Sequence, residues 1–361
     1  MSVSALHQFI PSFVPRDAIG AHSLQVQSVL REMGLDSELY VLDAAEEFQS
    51  ISRPLDRFRS RPGEWVMYQA STGSAMADWL LEHHPAEIVN YHNVTPAQLM
   101  VRWEPRLADE VAEGRKQIAK LSVACRHAIA VSQYNEAELV GFGCRSTSSV
   151  PLLLDAAAMD SAPDRVTAEW LERTKEGGGI DVVFVGRIVP NKAQHDLIKA
   201  LAAYRAGYDP AARLHLLGGT SAPNYMRALR RFVAALELWD AVDLAGSVSD
   251  SERAAYYRGA DVFVCLSEHE GVGVPLLEAM RYGVPVIAFR SSAIPETVGD
   301  AGILLDSKEP TLVAAAIHRV VSDGALRDRL VTAGRARLAE FDLAKTRPQF
   351  SAAVAAALEG A

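Results

Sequence analysis

"DVFVCLSEHEGVGVPLLEAMRYGVPVIAF", residues 261–289, decides the fold. Its first seven residues hold a continuous apolar run, 262–266, which a strand buried on both faces requires. Pro275 suits the first turn of a helix, where no N–H is needed. Gly283 and Pro285 stop that helix before a second apolar run, 284–289. Strand, loop, helix, strand is a βαβ unit, and βαβ units build parallel sheets.

Working outward, the same alternation fills the chain. Strands are expected at 4–10, 37–43, 64–69, 87–92, 127–132 and 148–154, and again at 180–186, 213–218, 241–246, 261–267, 284–289 and 301–306. Between the two sets lies a polar, Ala-rich segment closed by Gly177, Gly178 and Gly179, which reads as a linker over 156–179. The 361 residues therefore divide into α/β domains at 1–155 and 180–342. An Ala-rich helix follows at about 343–361, free to cap its own domain or to pack back on the first. In the first domain, Val26, Val29, Leu30 and Met33 form an i, i+3, i+4, i+7 stripe that ends at Gly34.

A net charge of −9 excludes a general nucleic-acid binder, because such proteins cluster Lys and Arg against phosphates. Three cysteines with no CxxC pair fit a reducing compartment. The first residues lack a basic region ahead of their short apolar run, and no apolar stretch approaches the ~20 residues of a spanning helix; a cytoplasmic protein is expected. The triple glycine precedes a strand, and "GFG" at 141–143 lacks a third glycine, so neither is a dinucleotide fingerprint.

Two carboxylates, Glu270 and Glu278, flank a turn that otherwise suits an anion. The amides of Gly273, Val274, Leu276 and Leu277 fall near a helix N-terminus, where free N–H groups and the macrodipole favour phosphate. Helical side chains lean toward the N-terminus, so Glu278 can reach past the anion to a neighbour bearing hydroxyls. A nucleoside diphosphate sugar meets all of these demands: its diphosphate takes the amides, its ribose Glu278, and its sugar hydroxyls Glu270.

The stretch "EGVGVPLLE", 270–278, resembles the E-x7-E signature of retaining GT-B glycosyltransferases of family four, with Val272 where that family usually has Phe. "VFVGRIVPNKAQHDLIKAL", "LHLLGG", "VDLAGSVSDSERAAYYRGADVFV" and "VPVIAFRSSAIPETVGDAGILLD" follow the family's C-terminal domain in order, over about 180–306. The resemblance implies a GT-B fold, two Rossmann-like parallel-sheet domains facing a central cleft. It makes Arg187 and Lys192 the cations that hold the diphosphate and stabilise it as it leaves, with Gly186 ending the strand before them. Gly271, Val272, Pro275 and Leu276 fall within the donor loop, and Gly246 and Ser247 lie under the base. Gly20 takes the place of the family's glycine loop against the donor phosphate, with Asp17 beside it as an acceptor-side residue or a helix cap. His92 resembles the histidine that touches the transferred sugar. Ser71, Thr72 and Gly73 end another strand on the same edge and line the acceptor side.

The implied reaction moves a hexose from a UDP- or GDP-linked donor to a hydroxyl of a glycan or lipid-linked acceptor, with retention, in glycan, polysaccharide or glycolipid biosynthesis. Aspartates two apart are missing from the chain, so no divalent metal and no other cofactor is expected. Retention can come from same-face attack or from a covalent sugar intermediate, with Glu270 the only motif carboxylate for the second. A nucleotide-sugar epimerase, a glycan phosphorylase and a non-catalytic sugar-nucleotide sensor stay open as alternatives. The arginines at 53, 57, 59 and 61 suit peripheral contact with the inner face of a membrane, or read more simply as a solvated loop.

Overall fold

The apolar runs become the strands of two parallel sheets in the computed structural model, which describes residues 3–15, 17–155 and 159–359. The chain divides into two units: Met1–Ala97, Ala108–Asp155 and Glu340–Ala361 make the first, Gln98–Leu107 and Ala156–Ala339 the second. Residues 156–158, which open the segment read as a linker, and 360–361, which close the segment read as a C-terminal helix, lie outside the described residues.

The first unit holds β1 (Ala5–Phe13), β2 (Leu39–Ala44), β3 (Arg53–Pro54), β4 (Glu64–Ala70), β5 (Ile88–Tyr91), β6 (His127–Ala130) and β7 (Thr147–Ser149). They lie in the order β3-β2-β1-β4-β5-β6-β7, every pair parallel. The stripe on the Ala18–Glu32 helix does what its spacing demands. Val26, Val29 and Leu30 are buried against Leu6, Met67, Ile88 and Ile129. The C-terminal helix, Leu343–Glu359, adds Phe350, Ala353, Val354 and Ala357 to the same core, and its Arg347 pairs with Glu32 at 2.6 Å.

Two strand expectations shift. β3 was not foreseen: it is two residues long, polar, and pairs only with Tyr40 and Val41 at the sheet edge, where a proline is tolerated. β7 ends at Ser149, well short of 154, because Pro151 has no N–H to continue a ladder. Leu152, Leu153 and Leu154 are buried all the same.

The second unit holds β8 (Asp181–Val185), β9 (Arg213–Leu217), β10 (Val242–Gly246), β11 (Val262–Cys265), β12 (Val286–Phe289) and β13 (Gly302–Leu305), ordered β10-β9-β8-β11-β12-β13. Part of the segment read as a linker is a helix, Arg165–Lys175, whose first turn is capped by Asp164 accepting from the Thr167 N–H at 2.8 Å. Lys175 ties that helix to Asp261 at 2.8 Å. Gln98–Leu107 supplies a second cap that local sequence could not announce. Ala222 offers no side chain to start the Pro223–Ala235 helix, and the buried Glu104 carboxylate instead accepts from the N–H groups of Asn224 and Tyr225, at 2.6 and 2.9 Å. Among the described residues no helix is long and apolar enough to cross a membrane.

Each sheet reverses its winding once. The first does so between β1 and β4, the second between β8 and β11. In open α/β sheets the crevice beyond the strand C-termini at such a reversal is where ligands collect.

Candidate functional site

In the second unit the reversal brings together the chain after β8 and the chain after β11. The first carries Gly186, Arg187 and Lys192; the second carries Ser267 to Gly273 and then the Val274–Arg281 helix. The floor is made close by small residues. Gly218 has φ 144°, and a Cβ there would stand 2.1 Å from the Gly186 carbonyl oxygen, so the ends of β8 and β9 touch backbone to backbone. Gly219 in turn leaves room for the Ser247 side chain, whose Oγ would lie 2.6 Å from any Cβ added there. Gly246 closes β10, and its carbonyl accepts from the Gly218 N–H at 2.8 Å. Gly218 and Gly219 belong with the site although the sequence reading did not place them in it. The signal was the double glycine at a strand end.

Lys192 and Glu270 meet. The Lys192 ammonium is 2.5 Å from Glu270 Oε2, with both side chains largely buried. The Glu270 N–H donates to Ser292 Oγ at 2.7 Å, which fixes the backbone of the loop. Asn191 braces the same loop: its carbonyl accepts from the Glu268 N–H at 2.7 Å and its Nδ2 donates to the His269 carbonyl at 3.1 Å. Lys308 closes a further tie, 2.6 Å from Glu268 and 2.8 Å from Asp196. Arg187 is exposed, and among the described residues it has no ion-pair partner.

Glu270 also lies beside the helix start, because a Cβ on Gly273 would be 3.9 Å from Glu270 Cγ. Gly273 is the N-cap of Val274–Arg281 and provides no capping side chain. One expected donor is corrected: the Leu276 N–H already donates to the Gly273 carbonyl at 2.9 Å, since the chain tightens into a turn there. Val272 is buried and its carbonyl accepts from Thr297 Oγ1 at 2.5 Å, so this residue anchors the loop from beneath. Glu278 is 7% exposed, takes a hydrogen bond from Tyr257 Oη at 2.9 Å and stands 3.6 Å from Arg253. Burial pushes its pKa up, and the charge of Arg253 with the Tyr257 hydroxyl pulls back only partly.

In the first unit the reversal falls between the ends of β1 and β4, where Asp17 and Gly20 follow one strand and Ser71, Thr72 and Gly73 the other. Asp17 caps the Ala18–Glu32 helix, accepting from the Gly20 N–H at 3.3 Å, and Gly20 is buried against the Phe13 ring. Gly73 is pressed onto the Pro105–Ala124 helix, where a Cβ would meet the Glu110 carbonyl oxygen at 2.8 Å. Thr72 beside it is exposed and Ser71 half-buried.

His92, just past β5, ends a relay of buried amides. The Ser23 carbonyl accepts from Gln8 Nε2, Gln8 Oε1 from Gln69 Nε2 at 2.7 Å, and Gln69 Oε1 therefore faces His92 Nε2 at 2.7 Å. That nitrogen must carry the proton. Burial pushes the His92 pKa down to about 3, so the ring is neutral, and Nδ1 is left as a buried acceptor without a partner among the described residues.

Among the described residues no three His, Cys, Asp or Glu side chains gather as a metal site would require. In the arginine-rich loop, Arg53 pairs with Glu38 at 3.1 Å, Arg59 donates to backbone carbonyls, and Phe58 is buried on Phe9. Arg57 and Arg61 extend into solvent.

The family described as glycosyl transferases group 1 matches residues 168–337. Over 178 residues, 47% of this chain and 44% of the relative, the sequence is 35% identical to a GDP-mannose-dependent alpha-(1-6)-phosphatidylinositol monomannoside mannosyltransferase of Mycobacterium tuberculosis. It is 33% identical over 197 residues to a D-inositol 3-phosphate glycosyltransferase of Salinispora arenicola, covering 52% of this chain and 44% of that one. The chain thus spans about half the length of the curated relatives it matches. In fold it is similar to sucrose-phosphate synthase of Thermosynechococcus elongatus, with TM-score 0.75, 18% identity and 99% and 100% of the two chains covered. HepE of Anabaena, solved with UDP and glucose, gives TM-score 0.70, 17% identity, and 98% and 100% coverage. Two parallel sheets of the Rossmann kind give this chain the GT-B fold of these solved structures, and its second unit is similar to glycosyl transferases group 1 over residues 168–337.

Proposed function

We propose that the protein transfers a hexose, with retention, from a UDP- or GDP-linked donor to a hydroxyl of a glycan or lipid-linked acceptor. The observation that carries the reading is the Lys192–Glu270 pair beside an N-cap that has no side chain of its own, at the reversal of the second sheet. A diphosphate takes the amides of Gly273 and Val274 and draws Lys192 and Arg187 toward its oxygens. Glu270, released from part of its ion pair, accepts from sugar hydroxyls, and Glu278 accepts from the ribose. When the sugar–phosphate bond breaks, the two cations offset the charge that develops on the leaving oxygen, a role a divalent metal fills elsewhere. The acceptor oxygen bonds to the anomeric carbon from the same face, and its proton passes to that leaving oxygen.

His92 supports the transferred-sugar part of the reading, since a neutral ring with a buried acceptor nitrogen left unpartnered among the described residues suits a sugar hydroxyl. A lipid-linked acceptor draws support from the mycobacterial relative's name, and Arg57 and Arg61 are the side chains that would meet an anionic surface.

Calorimetric titration with UDP, GDP and their hexose conjugates, followed by transfer assays with and without chelator, tests the proposal. Proton NMR of the product reads its anomeric configuration. Donor binding with no transfer to any acceptor would return the chain to a sugar-nucleotide sensor, and loss of binding in chelator would remove the metal-free mechanism.

A further inference from the structure

Two cysteines that the site does not use stand next to each other. Cys125 follows the Pro105–Ala124 helix and leads into β6; Cys144 follows the Gln133–Gly141 helix and leads into β7. Those strands pair directly, Ala128 with Thr147, so the sheet holds the two entry loops side by side. The Sγ atoms are 3.9 Å apart. A disulfide needs a bonding distance of about 2.05 Å, and the paired strands already bring the two sulfurs near it.

The surroundings favour reaction. Cys125 is partly exposed, between exposed Val123 and Arg126, and exposed Arg145 adjoins Cys144. The hydrogen bond from Cys125 pulls the Cys144 thiol down to about 7, while the same contact and burial push Cys125 up. Cys144 is itself buried, at 8% exposed, so the third cysteine differs from it in its thiol and its partner and not in burial. Cys265 is 3% exposed in β11, donates to Ser267 Oγ, and burial pushes its thiol up to about 11.

We propose that Cys125 and Cys144 form a reversible oxidation site, closed to an intramolecular disulfide by a low-molecular-weight disulfide of the glutathione type. The Cys144 thiolate attacks one sulfur of the oxidant and expels one glutathione thiolate. Cys125 gives its proton to water, and its thiolate attacks Cys144 Sγ and expels the second. Two protein thiols are oxidised and one glutathione disulfide is reduced to two thiols, so no other reactant is needed. The site is independent of the sugar chemistry proposed above and lies at the opposite end of the strands from His92.

The test uses the full chain, reduced and then equilibrated in buffers of increasing oxidised-to-reduced glutathione ratio. Expected are a mass loss of about 2 Da for the two hydrogens, a fall in free thiols from the three in the sequence to one, and full reversal by dithiothreitol. A non-reducing peptide map should join the Cys125 and Cys144 peptides. Cys125→Ser should stop at a glutathione adduct on Cys144. Because Cys144→Ser could unfold the chain, the map of the unsubstituted protein decides alone. Three free thiols throughout, a stable glutathione adduct on the unsubstituted chain, or a bond involving Cys265 or a second chain would each overturn the proposal.

Discussion

The Lys192 ammonium lies 2.5 Å from the Glu270 carboxylate, a cation and an acid that reach each other from the ends of β8 and β11. The two are 17% and 12% exposed, so each depends on the other for solvation. Removing one partner strands a charge. Lys192→Ala is expected to cost about 3 kcal/mol in urea unfolding, whereas Lys192→Met with Glu270→Gln should recover most of that loss. Both proteins should lose at least about 100-fold in transfer turnover. Normal turnover in the stable double variant would remove the pair from the mechanism.

Glu278 takes its hydrogen bond from Tyr257 and stands 3.6 Å from Arg253 inside a buried pocket, which positions its carboxylate before any ligand arrives. Glu278→Gln keeps a hydrogen-bonding amide there but removes the charged acceptor. Calorimetry should show nucleoside diphosphate affinity reduced about 10-fold with the fold intact.

His215 lies between Asp181 Oδ1 at 3.2 Å and Asp243 Oδ2 at 3.3 Å. Burial alone would push its pKa down, but the hydrogen bonds and charges of the two carboxylates outweigh it, and the net shift is upward from 6.5. A raised folded pKa means that the imidazolium's contribution is fully present below the ordinary value and is lost as pH rises through the folded one. Unfolding free energy should therefore decline on the alkaline side of 6.5, and His215→Gln should flatten that decline. An NMR titration that placed the ring below 6.5 would contradict the assignment.

Gly218 leaves 2.1 Å between an added Cβ and the Gly186 oxygen, and both atoms belong to strand ends that cannot shift without opening the sheet. Gly218→Ala should cost about 3 kcal/mol in unfolding free energy. Donor affinity should fall with it, since the floor of the site is displaced.

Glu104 caps a helix that starts more than a hundred residues later in the chain. Glu104→Ala should destabilise the second unit by about 1–2 kcal/mol. Hydrogen exchange should speed up first at the Asn224 and Tyr225 amides. Unchanged protection there would mean that the helix start is held by other contacts.

Much of the architecture was legible because buried parallel strands announce themselves. "VVFV" and "VFVC" contain nothing but apolar residues, and Pro275 and Gly283 bracket the helix between β11 and β12. β3 escaped notice because a two-residue polar edge strand has no apolar period to read. Pro151 was the overlooked stop in β7. Glu270 and Lys192 could each be singled out by residue type and strand-end position, but nothing in a linear chain says that they face each other across 78 residues.

Local sequence by itself determined where strands and helices form, since apolar periodicity, prolines and glycines act within a few residues of where they stand. It also set the chemistry on offer at the strand ends: a glycine-rich turn, two carboxylates and two cations. Tertiary structure alone decided which of these meet. The winding reversal between β8 and β11 depends on strand order, and strand order is set by how whole faces of the sheet are covered. For the same reason the C-terminal helix found its core on the first unit, Glu104 found a helix to cap on the second, and Cys125 found Cys144.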